Sequence, residues 1–178
     1  MGEMISKKAC DSIASKIKTL SKKVNRLLRN IGDAGCVEPP ILCKCCQKEY
    51  APPRTSPAFY DIYAAPPKPF VLCWDNLADD GEAIEAADHE LVHAYDDCKG
   101  INWDDCEQRA CSEVRGVNAD GGCRPGGVYN PKKPYLSYKD CVKKFAAQST
   151  AGLKKCGNGT TAVKAVFERC FNDTSGYE

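Results

Sequence analysis

The chain holds 178 residues, with 25 lysines and arginines against 24 aspartates and glutamates, for a formal net charge of +1. That length suits one domain able to bury a core, and the balanced charge gives no case for a nucleic-acid partner. No stretch approaches the roughly 20 apolar residues a membrane helix requires, so any membrane contact is expected to be peripheral.

Residues 1–30 read as a basic amphipathic helix. Ile13, Ile17, Leu20, Val24, Leu27, Leu28 and Ile31 recur at helical spacing among eight lysines and arginines. The segment lacks the apolar core of a secretory signal. A transit peptide would be richer in arginine and would not normally carry a cysteine such as Cys10, so a helix packed on the domain is expected. Pro39-Pro40, Ala51-Pro52-Pro53 through Pro57, and Ala65-Pro66-Pro67 then break the chain into loops. Lys68 to Trp74, an apolar run bounded by prolines and by Asp75-Asn76, reads as a strand. It is either an edge strand that accepts an extended substrate by strand addition or an ordinary core strand.

The chain's only two histidines follow, in His89-Glu90-Leu91-Val92-His93. At i and i+4 on a helix, two imidazoles emerge from one face, close enough to share a metal. Glu90 is then placed to take a proton from a water acidified by zinc, so that hydroxide attacks a peptide carbonyl. The competing reading is two surface histidines on an ordinary helix. Local context favours the metal: Glu82 to Asp97 contains no Gly or Pro, its apolar residues fall at near-helical intervals, and Gly100 stands as a stop. The motif predicts a zinc-dependent metalloendopeptidase with His89 and His93 as ligands and Glu90 as general base.

A catalytic zinc normally takes three protein ligands, and with no third histidine the last must be Asp, Glu or Cys. Glu113 follows His93 after nineteen intervening residues, in a run able to form a second helix packed under the first. Asp96 and Asp97 compete, but a ligand there would bend back across its own backbone. Asp96 is instead read as orienting a ligand histidine, and the competing role for Glu113 is a surface ion pair with Arg109 or Lys99. Arg115 and Tyr95 are candidates for stabilising an oxyanion.

The turn cluster Asp120 to Gly127, followed by Pro131 and Pro134, separates the metal-binding half from a tail in which Tyr138–Ala147 and Thr161–Cys170 read as two helices. Cys141, Cys156 and Cys170 are available to staple that pair. The expected organisation is a single metalloprotease domain, 1–178, made of an N-terminal amphipathic helix (1–34), a zinc-binding catalytic core (35–130) and a C-terminal helical pair (131–178).

Thirteen cysteines are spread over the whole chain, which argues for a disulfide framework formed in an oxidising compartment, with at least one thiol left over. The C-x-x-C spacing of Cys43 and Cys46 leaves a second possibility, a structural zinc held by Cys43, Cys45 and Cys46 with Cys36 or Cys73. Connectivity is not legible in spacing. The expected fold is α+β: a compact, zincin-like metalloprotease domain, mostly helical with a small sheet and stapled by disulfides.

His89-Glu90-Leu91-Val92-His93-Ala94-Tyr95-Asp96-Asp97-Cys98 resembles the metal helix of the mitochondrial inner-membrane protease and ATP synthase assembly factor family. Cys111-Ser112-Glu113-Val114-Arg115 with Cys123 resembles that family's next block, Cys43-x-x-Cys46 and Leu72-Cys73 its upstream cysteine blocks, and Cys141-Val142-Lys143-Lys144 and Cys170-Phe171-Asn172-Asp173-Thr174 its C-terminal ones. The resemblance implies an enzyme of the mitochondrial intermembrane space, peripheral to the inner membrane, that removes the presequence of a membrane-embedded ATP synthase subunit. It also implies a non-proteolytic alternative, in which the chain is a chaperone for assembly of the ATP synthase membrane sector. Import without a cleaved presequence and oxidation by a disulfide relay would fit the cysteine content. A third reading is a disulfide-rich interaction module with only a structural zinc. The chain departs from the family where Gly116 replaces Ala, where Ala119-Asp120-Gly121-Gly122 replaces Leu-Ser-Gly-Asp, where no Pro-Phe follows Thr174, and in extra prolines between Cys46 and Phe70. The metal and base positions are intact.

Overall fold

The computed structural model describes residues 4–50 and 54–178. Residues 1–3 of the expected first helix and 51–53 of the expected proline loop lie outside them. The basic amphipathic segment folds as two helices, not one: α1 (Lys7–Leu20) and α2 (Lys22–Asp33). The break is at Ser21, whose extended backbone leaves its hydroxyl free to accept the Val24 N–H at 3.2 Å and to donate to Asp88 at 2.7 Å. A serine N-cap satisfies one of the orphan amides of a helix start. The apolar spacing runs straight through the break, which is why periodicity alone reads a single helix. Ile13, Ile17, Val24, Leu27, Leu28 and Ile31 are all buried.

Three short strands follow, β1 (Ile41–Lys44), β2 (Ala58–Tyr60) and β3 (Phe70–Cys73), in the order β1-β3-β2. β1 runs parallel to β3 with Cys43 opposite Leu72, and β2 runs antiparallel to it with Ala58 opposite Leu72. The strand expected at Lys68–Trp74 is therefore the central one. Its unbroken run of apolar residues, buried throughout, is what a strand covered on both faces requires. The edge role belongs to β2, too short and too hemmed by prolines to register in the sequence pattern. A single turn, α3 (Cys46–Glu49), lies between β1 and β2.

The helix expected to carry the metal ligands is α4 (Asp80–Cys98). Asp79 accepts the Glu82 N–H at 2.9 Å while the Glu82 carboxylate accepts the Ala78 N–H at 2.7 Å, a reciprocal cap that fixes where the helix starts. α5 (Cys106–Asp120) starts at Asp105, which accepts the Gln108 N–H, and stops at Gly121 with φ +77°, a left-handed position that glycine adopts without strain. α6 (Tyr138–Thr150) and α7 (Thr160–Phe171) complete the chain, joined through a 3-10 turn at Lys154–Cys156. One apolar core gathers α1, α2, the sheet and the inward face of α4; a second gathers α5, α6 and α7. α4 packs on α5 between the two. The fold is α+β, mostly helical with a small sheet, as expected. Among the described residues, no helix is long and apolar enough to cross a membrane.

Six disulfides staple this arrangement: Cys10–Cys43, Cys36–Cys98, Cys46–Cys73, Cys106–Cys156, Cys111–Cys170 and Cys123–Cys141. Cys45 is the free thiol. Cys43 and Cys46 lie in different disulfides, so the alternative of a cysteine-held structural zinc fails: only one thiol of that group remains to bind a metal. Nor do Cys141, Cys156 and Cys170 join α6 to α7. Each ties the tail back to α5 or to the turn that follows it, which makes α5 the hub of the C-terminal half.

Candidate metal centre

The spacing of His89 and His93 places both imidazoles on the face of α4 that meets α5, and α5 answers with Glu113. The three side chains are buried, at 8%, 7% and 5% exposure. Glu113 Oε2 stands 3.5 Å from Nε2 of His89 and 3.4 Å from Nε2 of His93. Zinc bonds of 2.0–2.1 Å at tetrahedral angles put ligand atoms roughly 3.3–3.4 Å apart, so the carboxylate already sits at the separation a shared ion demands. Among the described residues, His89, His93 and Glu113 form the group able to offer three converging donor atoms.

The far nitrogens are held by other partners. Nδ1 of His89 meets Asp120 Oδ2 at 2.9 Å, and Nδ1 of His93 meets the Ser112 hydroxyl at 2.7 Å. With Nδ1 as the donor in each ring, both Nε2 lone pairs point to the common centre, the tautomer that a metal-ligating histidine needs. Asp120 is fixed at its other oxygen by the Gly122 N–H at 2.8 Å. α5 approaches closely enough that a Cβ on Gly116 would lie 2.9 Å from the His89 ring, so the glycine lets the second helix rest on the first ligand.

Electrostatics complete the picture. Burial opposes ionisation of Glu113, but without a metal the His93 charge and the two imidazoles that face it outweigh that and hold the carboxyl far below its usual range. Burial also opposes the charge on His89, yet its bonds to Asp120 and Glu113 raise its pKa well above the ordinary 6.5. Glu90, one residue on, has its pKa raised by burial, with the two imidazoles and a backbone amide pulling the other way. That amide is the N–H of Tyr60, which donates to Glu90 Oε2 at 2.9 Å.

Sequence and structure part company around this centre. Asp96 does not touch a ligand histidine: its carboxylate pairs with the Arg115 guanidinium, and Ser112 takes the place expected for it at His93. Asp97 is engaged with Lys68, the Tyr60 hydroxyl and the Trp103 indole. Arg115 is turned from the centre, bonding Asp96 and the backbone carbonyls of Asp173 and Ser175, and it lies 5.7 Å from the ring of Tyr95. Neither Arg115 nor Tyr95 is placed to stabilise an oxyanion. Ser112 and Asp120 escaped sequence reasoning. Ser112 precedes Glu113 directly, a weak signal, and Asp120 lies in the segment that departs from the family pattern.

The centre opens into a cleft of about 470 Å³ whose walls include Ala58, Phe59 and Tyr60 of β2, Arg54, and Arg109 of α5. Its parts can do recognisable chemistry: a three-donor metal position, a carboxylate beside it, and an edge strand along one wall.

Comparison with known proteins agrees. Residues 8–178 match the Peptidase M76 family. The mitochondrial inner membrane protease ATP23 of Eremothecium gossypii is 33% identical over 116 residues, 61% of this chain and 47% of that protein. The protein of the same name from Vanderwaltozyma polyspora is 30% identical over 149 residues, 79% of this chain and 55% of the relative. That from Schizosaccharomyces pombe is 32% identical over 123 residues, 64% of this chain and 65% of the relative. The chain thus spans about half the length of the first of these relatives. No solved structure matches. With the match running from α1 to the last residue and through every donor of the centre, the chain belongs to the Peptidase M76 family.

Proposed function

We propose that the chain is a zinc metalloendopeptidase. The observation that carries the reading is the convergence of His89, His93 and Glu113 from two helices, with Glu90 beside them on an open cleft. The donor set, two imidazoles and a carboxylate, is one that suits catalytic zinc. Zinc held there would polarise the peptide carbonyl and acidify the attacking water. Glu90 would take that water's proton as the C–O bond forms and return it to the leaving amine as the C–N bond breaks. The Tyr60 amide occupies Oε2 of Glu90 and leaves Oε1 for the transfer. An extended peptide lies along β2, whose side opposite β3 faces the cleft.

We read 1–178 as one domain, supported by the Cys10–Cys43 disulfide, which ties residues 1–34 to the core 35–130, and by three that tie the core to 131–178. The names of the relatives and the cysteine content support a place in the mitochondrial intermembrane space, on the surface of the inner membrane. Residues 131–171 carry nine lysines and arginines against two acids, a basic stretch whose charge suits anionic headgroups. The substrate we assign is the presequence of a membrane-embedded ATP synthase subunit, with help in assembling the membrane sector as a second role. That assignment rests on the family resemblance alone.

The test of the chemistry is Glu90→Gln. It should bind one zinc as the wild type does and fail to cleave a peptide that the wild type cleaves. Full activity in that variant would sink the mechanism.

A further inference from the structure

Arg109 stands one turn before Glu113 on α5, and its side chain lines the same cleft as the metal centre. Its Nε is the one buried side-chain nitrogen or oxygen left without a hydrogen-bond partner among the described residues. The contrast with Arg115 on the same helix is sharp, since that guanidinium is bonded to Asp96, Asp173 and Ser175. Nη2 of Arg109 lies near Gly152, where a Cβ would come within 3.7 Å of it, just past the C-terminal end of α6. A helix C-terminus favours a cation, and this accounts for where the guanidinium rests. It supplies no acceptor for Nε. A buried donor without an acceptor is rare enough in native proteins to call for a functional account.

No carboxylate in the cleft pairs with Arg109: Glu113 faces Nε2 of both imidazoles, Glu90 accepts from Tyr60, and Asp61 accepts the Tyr63 N–H. Arg54, another wall residue, has its guanidinium 4.0 Å from the Phe59 ring centroid and is in no ion pair among the described residues. The cleft therefore carries two cationic groups without a carboxylate partner. A guanidinium in no ion pair presents paired donors that match a carboxylate two to two, a geometry that a single oxyanion does not fill.

We propose that Arg109 is a specificity-determining residue that binds the carboxylate of an Asp or Glu side chain of the peptide substrate, close to the scissile bond. The proposal rests on the peptidase reading above. It makes the protein selective for acidic over isosteric carboxamide residues at one substrate position, because the amide cannot satisfy the charge on the guanidinium.

The test digests a degenerate synthetic peptide mixture with the zinc-loaded full chain and sequences the new termini, for wild type and Arg109→Gln, with zinc content and a thermal melt reporting that the variant folds. The expected result is enrichment of Asp and Glu over Asn and Gln by about tenfold or more at one position flanking the cut. Arg109→Gln should erase that enrichment and leave the rates on peptides without an acid there within about twofold, with the loss on acidic peptides falling in KM rather than kcat. A wild type indifferent to acids, an Arg109→Gln protein that keeps the preference, or a loss of kcat on all peptides alike would each overturn the proposal. The same mixture is also passed over immobilised Glu90→Gln and Glu90→Gln/Arg109→Gln proteins. Acidic peptides retained only by the former uphold the role of Arg109 even if nothing is cleaved, in which case the peptidase reading alone fails. Equal retention, or none, overturns it.

Discussion

The backbone N–H of Tyr60 donates to the carboxylate of Glu90 at 2.9 Å, so the edge strand and the candidate base are fixed to each other across the cleft. In the proposed mechanism this one contact would set both where a peptide lies along β2 and which carboxylate oxygen is free to move a proton. Replacing Tyr60 by proline removes the donor, and a hydrogen bond to a charged group is worth about 1.5–3 kcal/mol. Tyr60→Pro should therefore lower kcat/KM by roughly 10- to 100-fold with zinc retained, whereas Tyr60→Phe, which keeps the amide and loses only the hydroxyl bond to Asp97, should stay within about threefold. Equal losses in the two variants would count against the amide.

Asp120 and Ser112 hold the rings of His89 and His93 at Nδ1. Loss of such a partner typically costs 10- to 100-fold in metal affinity. Zinc competition against a chelator should show roughly that loss for Asp120→Ala, and a smaller one for Ser112→Ala, whose hydroxyl is a neutral acceptor. His93→Ala and Glu113→Ala should abolish stoichiometric zinc, as read by metal mass spectrometry.

Acid should compete with the metal. Burial works against the charge on His89, but Asp120 and Glu113 raise its pKa well above 6.5, and a metal accepts only the neutral imidazole. Zinc affinity is therefore expected to fall as pH drops through the raised value, with proton release visible by calorimetry in buffers of different ionisation enthalpy. Without zinc the sign on stability reverses. The raised His89 value contributes stability that is fully present below the ordinary 6.5 and lost as pH rises through the folded value. The lowered Glu113 value contributes stability that is present above 4.5 and lost as pH falls. The zinc-free protein should thus hold this cluster best from about 4.5 to beyond 6.5, and melting curves with and without metal would separate most at the alkaline end.

Cys111–Cys170 ties α5 to α7 across a separation of 59 residues. Replacing both cysteines by serine should cost about 2–5 kcal/mol of stability. It should also loosen Glu113, two residues from Cys111, so that zinc affinity falls with the melting temperature.

Cys45 should be the one thiol open to alkylation in the native protein. Burial first, then Asp75, raises its pKa, so less thiolate is present at neutral pH. Intact mass after maleimide treatment should show a single, slowly formed adduct, absent in Cys45→Ser. More than one adduct without reductant would contradict the disulfide pattern.

The residues themselves picked out the candidate metal pair, the candidate base and the helix that carries them, because ligand spacing and helical period are properties of a dozen consecutive positions. They also specified an α+β, disulfide-stapled chain, through composition and apolar runs, and the missing third histidine narrowed the last donor to Asp, Glu or Cys, with Glu113 favoured over Asp96 and Asp97 by its place on a second helix. Tertiary structure decided everything that depends on neighbours distant in sequence. Ser21 breaks the first helix in part because Asp88, far along the chain, accepts its hydroxyl. β3 is central and β2 the edge because sheet order is set by pairing across loops. Asp120 and Ser112, rather than Asp96, meet the two imidazoles because α5 crosses α4 at Gly116 and brings them there. The six pairings of the cysteines follow from that same packing. Local chemistry is written in local spacing, but which groups face one another is a result of burial, which sums over the whole chain.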